Sequence, residues 1–352
     1  MTQFAQAAGL LEKAIAAHAF PAASVEVGRA AGMAWRAAFG RLTYAEDAPR
    51  ATEETLFDLA SLTKVIATTT LIMQAVDAGT LSLTDCVADR LSGWRGLDRQ
   101  AVTVADLLEH ASGLTAYLPF FRDHHGRGEF ERAICTLPLE YTPRTRSIYS
   151  DLGFILLGFI LEDVNRTPVA QQFEYEGLRF NPPREWRERT APTELDLWRG
   201  RLLQGEVHDE NTWALGGAAG HAGLFGTAAA TGTFARLVLR GLNGGRSVAG
   251  TETLARFTRK SSVPGSSRAL GWDTMLTTSS CGTRLSPRAI GHTGFTGTSL
   301  WIDPEQDLYI VLLTNRVHPT RENNAIQLVR RAFHDSVIGA LRDPAINQPR
   351  SS

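Results

Sequence analysis

The chain has 352 residues, 43% hydrophobic and 21% charged, with a formal net charge of -1, enough for one large core or two intimate domains. Its balanced charge counts against nucleic acid or an anionic membrane as partner, and no apolar run reaches the roughly 20 residues that span a bilayer. The three cysteines, Cys86, Cys135 and Cys281, are an odd set without CxxC spacing, which argues against a disulfide framework or a thiolate metal site.

MTQFAQAAGLLEKAIAAHAF reads as an amphipathic first helix. It lacks a basic leader, an unbroken apolar core and a cleavage site, so cytoplasmic residence is the default expectation. SVEVGRA and MAWRAAFG flank Ala31 and Gly32 as the strands of a hairpin. From Ser61, the residues Val65, Ile66, Thr69, Ile72, Met73 and Val76 recur at helical spacing and stop at Gly79, a residue suited to ending a helix. Residues 83–207 read as helix and loop, with VTVADLLEH and the apolar DLGFILLGFILEDV interrupted by FNPPREWRERTAPTE. After the helix GLFGTAAATGTFARLVLRGL, strands return in RAIGHTG, TSLWID and DLYIVLLTN, the last two joined through Pro304 to Gln306. ENNAIQLVRRAFHDSVIGALR is a closing helix, and NQPRSS reads as a frayed end. The expectation is an α+β fold in which a discontinuous sheet domain, 1–82 and 208–352, receives a mostly helical domain, 83–207, with the active site at their interface.

Only Lys13, Lys64 and Lys260 are lysines, against 33 arginines. Lys64 lies three residues after Ser61 where a helix begins, a spacing that puts both side chains on one face. A serine hydroxyl needs a base within hydrogen-bond reach. Lysine serves once its surroundings lower its pKa, whereas arginine stays protonated. A chance S-x-x-K has a probability of roughly one in six in such a chain, so the motif needs companions.

SIYSDLGFILLG supplies Tyr149, Ser150 and Asp151 at the mouth of an apolar helix, and AIGHTGFTGTSLWID supplies His292, Thr293 and Gly294 at a strand end. With these three motifs in order, the chain resembles the serine beta-lactamase and DD-peptidase superfamily. VTVADLLEHASGL is similar to the corresponding segment of its class C beta-lactamase branch. The resemblance implies an antiparallel sheet flanked by terminal helices, Ser61 as acylated nucleophile, and Lys64 and Tyr149 sharing the base role. It also implies an oxyanion hole from the backbone N–H groups of Ser61 and Phe295, with Gly294 allowing close approach of substrate.

Two residues depart from the family pattern. Asp151 stands in place of an asparagine, removing an amide donor and setting a second charge near Lys64, which counts against Lys64 as sole base. His292 replaces a lysine and weakens a permanent cationic contact with a substrate carboxylate. His110 reads as a structural histidine holding the turn after it.

Residues 190–226 are rich in polar residues and glycine and are expected to line a cleft. GEVHDEN, GGAAGHAGLF and LLTNRVHP resemble a cell-wall-recycling branch whose members cleave the amide between N-acetylmuramic acid and L-alanine. On that basis His208, Asp209, Asn211, Arg316 and His318 are candidate substrate contacts, Arg316 as a reader of a carboxylate. FRDHHGRGEF reads as a mobile loop over the cleft. Neither it nor GGAAGHAG has metal-ligand or phosphate-loop spacing, so no metal and no organic cofactor is expected. The alternatives are a broad esterase, a DD-peptidase or weak beta-lactamase, and a catalytically silent binding protein.

Overall fold

The computed structural model describes residues 3–342; the NQPRSS terminus lies outside them. Helix α1 (Ala5–Ala16) leads into a hairpin of β1 (Ala22–Gly28) and β2 (Met33–Gly40). The sheet is completed by β3 (Asp273–Thr274), β4 (Ile290–Thr293), β5 (Ser299–Asp303) and β6 (Leu308–Thr314). All pairings are antiparallel, in the order β2-β1-β6-β5-β4-β3. The β5–β6 turn forms where expected, because the Asp303 carboxylate accepts the N–H groups of Glu305 and Gln306.

Alternate side chains of the central strands serve two cores. Val25, Val27, Trp301, Ile310 and Leu312 pack with α1 and with α5 (Ile326–Arg342). Leu300, Ile302, Tyr309, Val311 and Leu313 face the opposite side, where α4 (Ala228–Leu242) lies. With both faces covered, β1 is buried along its whole length, which is why its sequence alternates imperfectly. Its one charge, Glu26, is fully enclosed and is satisfied by Arg36 and the Tyr309 hydroxyl, each at 2.8 Å.

The larger core continues without a break into residues 83–207, through α2 (Thr69–Asp77) and α3 (Asp151–Asn165). Residues 152–161 of α3 are all buried, as befits a helix apolar on every side. Ser150 caps α3 by accepting the Gly153 N–H. The segment also contributes strands that its pattern did not announce, at Leu178–Phe180, Leu195–Asp196 and Arg201–Leu202; two or three residues are too few for a period to show. FRDHHGRGEF, expected as a mobile loop, is a 3₁₀ turn over Phe120–Arg122 followed by a helix over Gly126–Thr136, with Phe120, Phe121 and Phe130 buried. Among the described residues no helix is long and apolar enough to cross a membrane.

Candidate active site

Ser61 ends a turn whose conformation is over-determined by Asp58. One oxygen of that buried carboxylate accepts the Ala60 N–H at 2.8 Å and the other the His208 N–H at 2.7 Å. Ala60 is thereby held at φ 47°, a left-handed conformation that costs a non-glycine residue energy and often marks a functional turn. The next residues enter a helix whose Lys64–Thr68 portion is π-helical rather than α-helical.

The Lys64 side chain is fully enclosed. Its Nζ lies 3.0 Å from Ser61 Oγ, 2.7 Å from Asp151 Oδ1 and 3.1 Å from the His221 carbonyl. Burial acts to lower the ammonium's pKa, but the Asp151 carboxylate and then Tyr149 oppose it, and the net displacement is upward. The neutral amine expected beside Ser61 is therefore replaced at rest by a charged one in an ion pair. Asp151, expected among the substrate contacts, turns first to Lys64.

Tyr149 completes the cluster. Lys64 Nζ stands 4.9 Å from its ring centroid and the Arg268 guanidinium 5.1 Å. Burial raises its hydroxyl; Lys64 and Ser61 oppose this without overcoming it, and Tyr149 stays a phenol. Two histidines frame the ring, His110 at 4.7 Å and His292 at 5.7 Å between centroids. Both are held well below the usual histidine pKa, by burial first and by Arg268 second, and are neutral. His110 Nδ1 accepts the Ser150 N–H at 3.0 Å, so this histidine fixes the entry to α3, as its structural reading anticipated.

The turn after β4 is tied to the nucleophile turn: the Thr296 hydroxyl donates to the Asp58 carbonyl at 2.7 Å, and that of Thr298 to the Leu59 carbonyl at 3.0 Å. Phe295 is thereby set beside Ser61, and both residues line the same two clefts. Among the described residues neither the Ser61 N–H nor the Phe295 N–H donates to a backbone acceptor, so both are free for an incoming oxygen. A Cβ at Gly294 would meet the Thr298 hydroxyl and the Leu59 carbonyl, so the packing of two turns also requires glycine here, and the residue lines the second cleft.

Two clefts meet at Ser61 and Tyr149. The first, about 330 Å³, is lined by Tyr117, Asp151, His208, Asp209, Glu210 and Arg321 among others. The second, also about 330 Å³, takes in Arg268, His292, Thr293, Gly294, Arg316 and Arg330. His208 and Asp209 thus lie where substrate contacts were expected, although His208 also pairs with Glu194 at 2.9 Å and Asp209 with His221 at 2.9 Å. Asn211 does not reach a cleft: it is fully buried, accepts the Phe121 N–H and donates to the Leu118 carbonyl, each at 2.9 Å. His318 also lines neither cleft, and its Nδ1 is 3.1 Å from the Thr193 carbonyl. Arg316 lines the second cleft, but its Nε donates to the Phe295 carbonyl at 2.7 Å and a terminal nitrogen to the Arg321 and Asn323 carbonyls. It holds the Phe295 turn through Nε and one terminal nitrogen, and its other terminal nitrogen makes no protein hydrogen bond among the described residues.

Several residues at the site were not anticipated: Asp58, Tyr117, His221, Arg268 and Arg321. The signal for His221 lay in the glycines of GGAAGHAG. A Cβ at Gly220 would meet the Phe154 carbonyl at 2.1 Å, so glycine lets this loop press on α3 and offer the His221 carbonyl to Lys64. The others carry no spacing that would single them out.

This fold, with a serine–lysine pair at the foot of a helix and a free backbone N–H opposite, defines a serine hydrolase of the beta-lactamase type. The chain belongs to the Beta-lactamase family, whose family model matches residues 7–333. It is 32% identical over 309 residues to a Salmonella gallinarum (strain 287/91 / NCTC 13346) protein named "Putative D-alanyl-D-alanine carboxypeptidase", covering 76% of this chain and 71% of the relative. Among solved structures it resembles the Beta-Lactamase/D-Alanine Carboxypeptidase from Pseudomonas syringae, with TM-score 0.75 and 19% identity over 96% of this chain and 98% of the other. It also resembles EstCE1, a hydrolase with promiscuous acyltransferase activity, with TM-score 0.74 and 20% identity over 95% and 98% of the two chains. At these identities the two structures speak to fold alone.

Proposed function

We propose that Ser61 is the nucleophile of an acyl-enzyme pathway that hydrolyses an amide in a peptidoglycan fragment, between a muramyl lactyl group and L-alanine. The observation that carries this reading is the contact of 3.0 Å between Ser61 Oγ and Lys64 Nζ at the junction of two clefts. Acylation needs a hydroxyl with a proton-transfer partner, and hydrolysis needs room on both sides of the scissile bond. The Ser61 and Phe295 N–H groups serve the tetrahedral oxyanion, where one such donor is typically worth about 3 kcal/mol. In the first cleft the half-exposed Phe295 and Tyr117 offer apolar faces. Asp209 and Glu210, each engaged by the protein through one oxygen, offer acceptors. Apolar faces beside carboxylates suit the hydroxyls of a sugar-bearing acyl half.

A second reading is favoured by the curated relatives: a carboxypeptidase that acylates on a D-alanyl residue. One experiment separates them. The protein is incubated with a muropeptide mixture and, separately, with a D-alanyl-D-alanine peptide, quenched in acid, and the adduct on Ser61 is weighed by mass spectrometry. A sugar-lactyl mass supports the amidase reading. A peptidyl mass without the sugar supports the carboxypeptidase, and no adduct on Ser61 from either, with turnover intact, removes the acyl-enzyme pathway.

A further inference from the structure

We infer that Asp151 stores a proton during acylation, taking it from Lys64 so that Lys64 can accept the proton of Ser61. The inference rests on the assignment of Ser61 as nucleophile.

An ammonium has three N–H donors and no acceptor. Lys64 Nζ has three acceptors around it, Ser61 Oγ, Asp151 Oδ1 and the His221 carbonyl, at 3.0, 2.7 and 3.1 Å. Every N–H is engaged, and no lone pair faces the serine hydroxyl. The side chain has no exposed surface, so Lys64 cannot hand a proton directly to solvent. Among the described residues Asp151 is its one carboxylate partner within 4 Å.

The remaining titratable neighbours do not offer a resting base. Tyr149, at the entry to α3, is held as a phenol. His110 uses its Nδ1 lone pair on the Ser150 N–H. His292, on β4, donates Nδ1–H to the Thr293 carbonyl at 2.8 Å, and its buried Nε2 has no hydrogen-bond partner among the described residues, so its lone pair does not reach the Ser61 hydroxyl. Arg268 is a fixed cation over that ring. Across the first cleft, Asp209 is paired with His221, His208 with Glu194, and Glu210 with Arg321.

In the step itself, one Lys64 Nζ–H bond breaks first and its proton goes to Asp151 Oδ1, and the amine turns about its Cε–Nζ bond to set the freed lone pair toward Ser61. The Ser61 O–H bond then breaks as Oγ bonds to the substrate carbonyl carbon, and that proton goes to the Nζ lone pair. The carbonyl π pair becomes the oxyanion between the Ser61 and Phe295 N–H groups. Lys64 is cationic before and after, and negative charge passes from Asp151 to the oxyanion. When the intermediate collapses, the leaving group departs with its bonding pair and is protonated by the reverse path, from Asp151 through Lys64. Asp151 is 18% exposed and lines the first cleft. A bound acyl group therefore removes its water, which disfavours its charged form and promotes the transfer.

The test uses the rate at which a fluorophosphonate labels Ser61, measured against pH for the native protein, Asp151→Asn and Asp151→Glu. In the native protein Lys64 passes its proton to Asp151 before Ser61 reacts; in Asp151→Asn that acceptor is gone and Lys64 must already be a neutral amine, which sets the acid limb of the profile. The limb is expected to move up by roughly two pH units or more in Asp151→Asn. Asp151→Glu is expected to return it toward the native position. A denaturation midpoint and circular-dichroism spectrum close to native show that Asp151→Asn is folded. An unchanged limb in a folded Asp151→Asn overturns the relay while leaving Ser61 as nucleophile. Absence of Ser61 labelling in the native protein overturns both.

Discussion

Arg316 lies across the ring of Phe295, its guanidinium 4.3 Å from the ring centroid, while its Nε donates to the Phe295 carbonyl at 2.7 Å. One residue thus fixes both the ring and the carbonyl of Phe295, whose N–H is the proposed second oxyanion donor. Arg316→Ala is expected to lower the acylation rate about 10- to 100-fold, because a displaced oxyanion donor weakens transition-state binding. Substrate KM should change far less. Stopped-flow acylation separates the two, and a rise in KM with an unchanged acylation rate would instead make Arg316 a substrate contact.

Lys64→Arg keeps the charge and loses the proton chemistry. A guanidinium does not release a proton under working conditions, and the enclosed space around Nζ fits an ammonium with three acceptors. Fluorophosphonate labelling of Ser61 should fall by about 10³-fold. Retained labelling near the native rate would remove Lys64 from the proton path.

Asn211→Ala leaves a buried N–H of Phe121 and a half-buried carbonyl of Leu118 without partners. At about 1–3 kcal/mol for each orphaned group, chemical denaturation should show a loss of about 2–5 kcal/mol. The labelling rate per folded molecule should stay within about twofold of native. A selective loss of activity at full stability would return Asn211 to the list of substrate contacts.

Acid should weaken the fold from the histidine range downward. His110, His292 and His334 are each held below the ordinary value, chiefly by burial, His334 at about 4. Below the unfolded value of 6.5 the unfolded chain binds protons that the native chain refuses. Stability is therefore full above that value and falls as pH drops toward each folded value. His334→Gln should flatten the slope of stability between pH 6.5 and 4 by about 1.4 kcal/mol per pH unit, as read from denaturation midpoints across that range.

The parts of the site legible in sequence were those carried by local spacing. Ser61 and Lys64 sit one turn apart on a helix, and Tyr149 and Asp151 flank the cap of another. Phe295 begins a short glycine-bearing turn whose hydrogen bonds run to the residues just before Ser61. What stayed hidden depends on partners far along the chain. Arg316 and Asn211 look like free polar side chains in a polar segment, yet Arg316 bonds the carbonyls of Phe295, Arg321 and Asn323, and Asn211 bonds Phe121 and Leu118, 90 and 93 residues away. The charge on Lys64 could not be foreseen, because burial and Asp151 act on it oppositely and their balance depends on a separation that no motif encodes.

The π-helical turn at Lys64–Thr68 has a consequence for how this enzyme tolerates change. Widening one turn by a residue advances every later side chain by about 100° around the axis. The register that aims Lys64 at Ser61 is therefore uncoupled from the register by which Leu71, Ile72, Met73 and Ala75 fill the core. Removing a single residue within the widened turn would restore a regular spiral and rotate one of these two sets out of place. The segment should accept conservative exchanges yet reject a one-residue deletion, a contrast that a saturation library scored for soluble expression would expose.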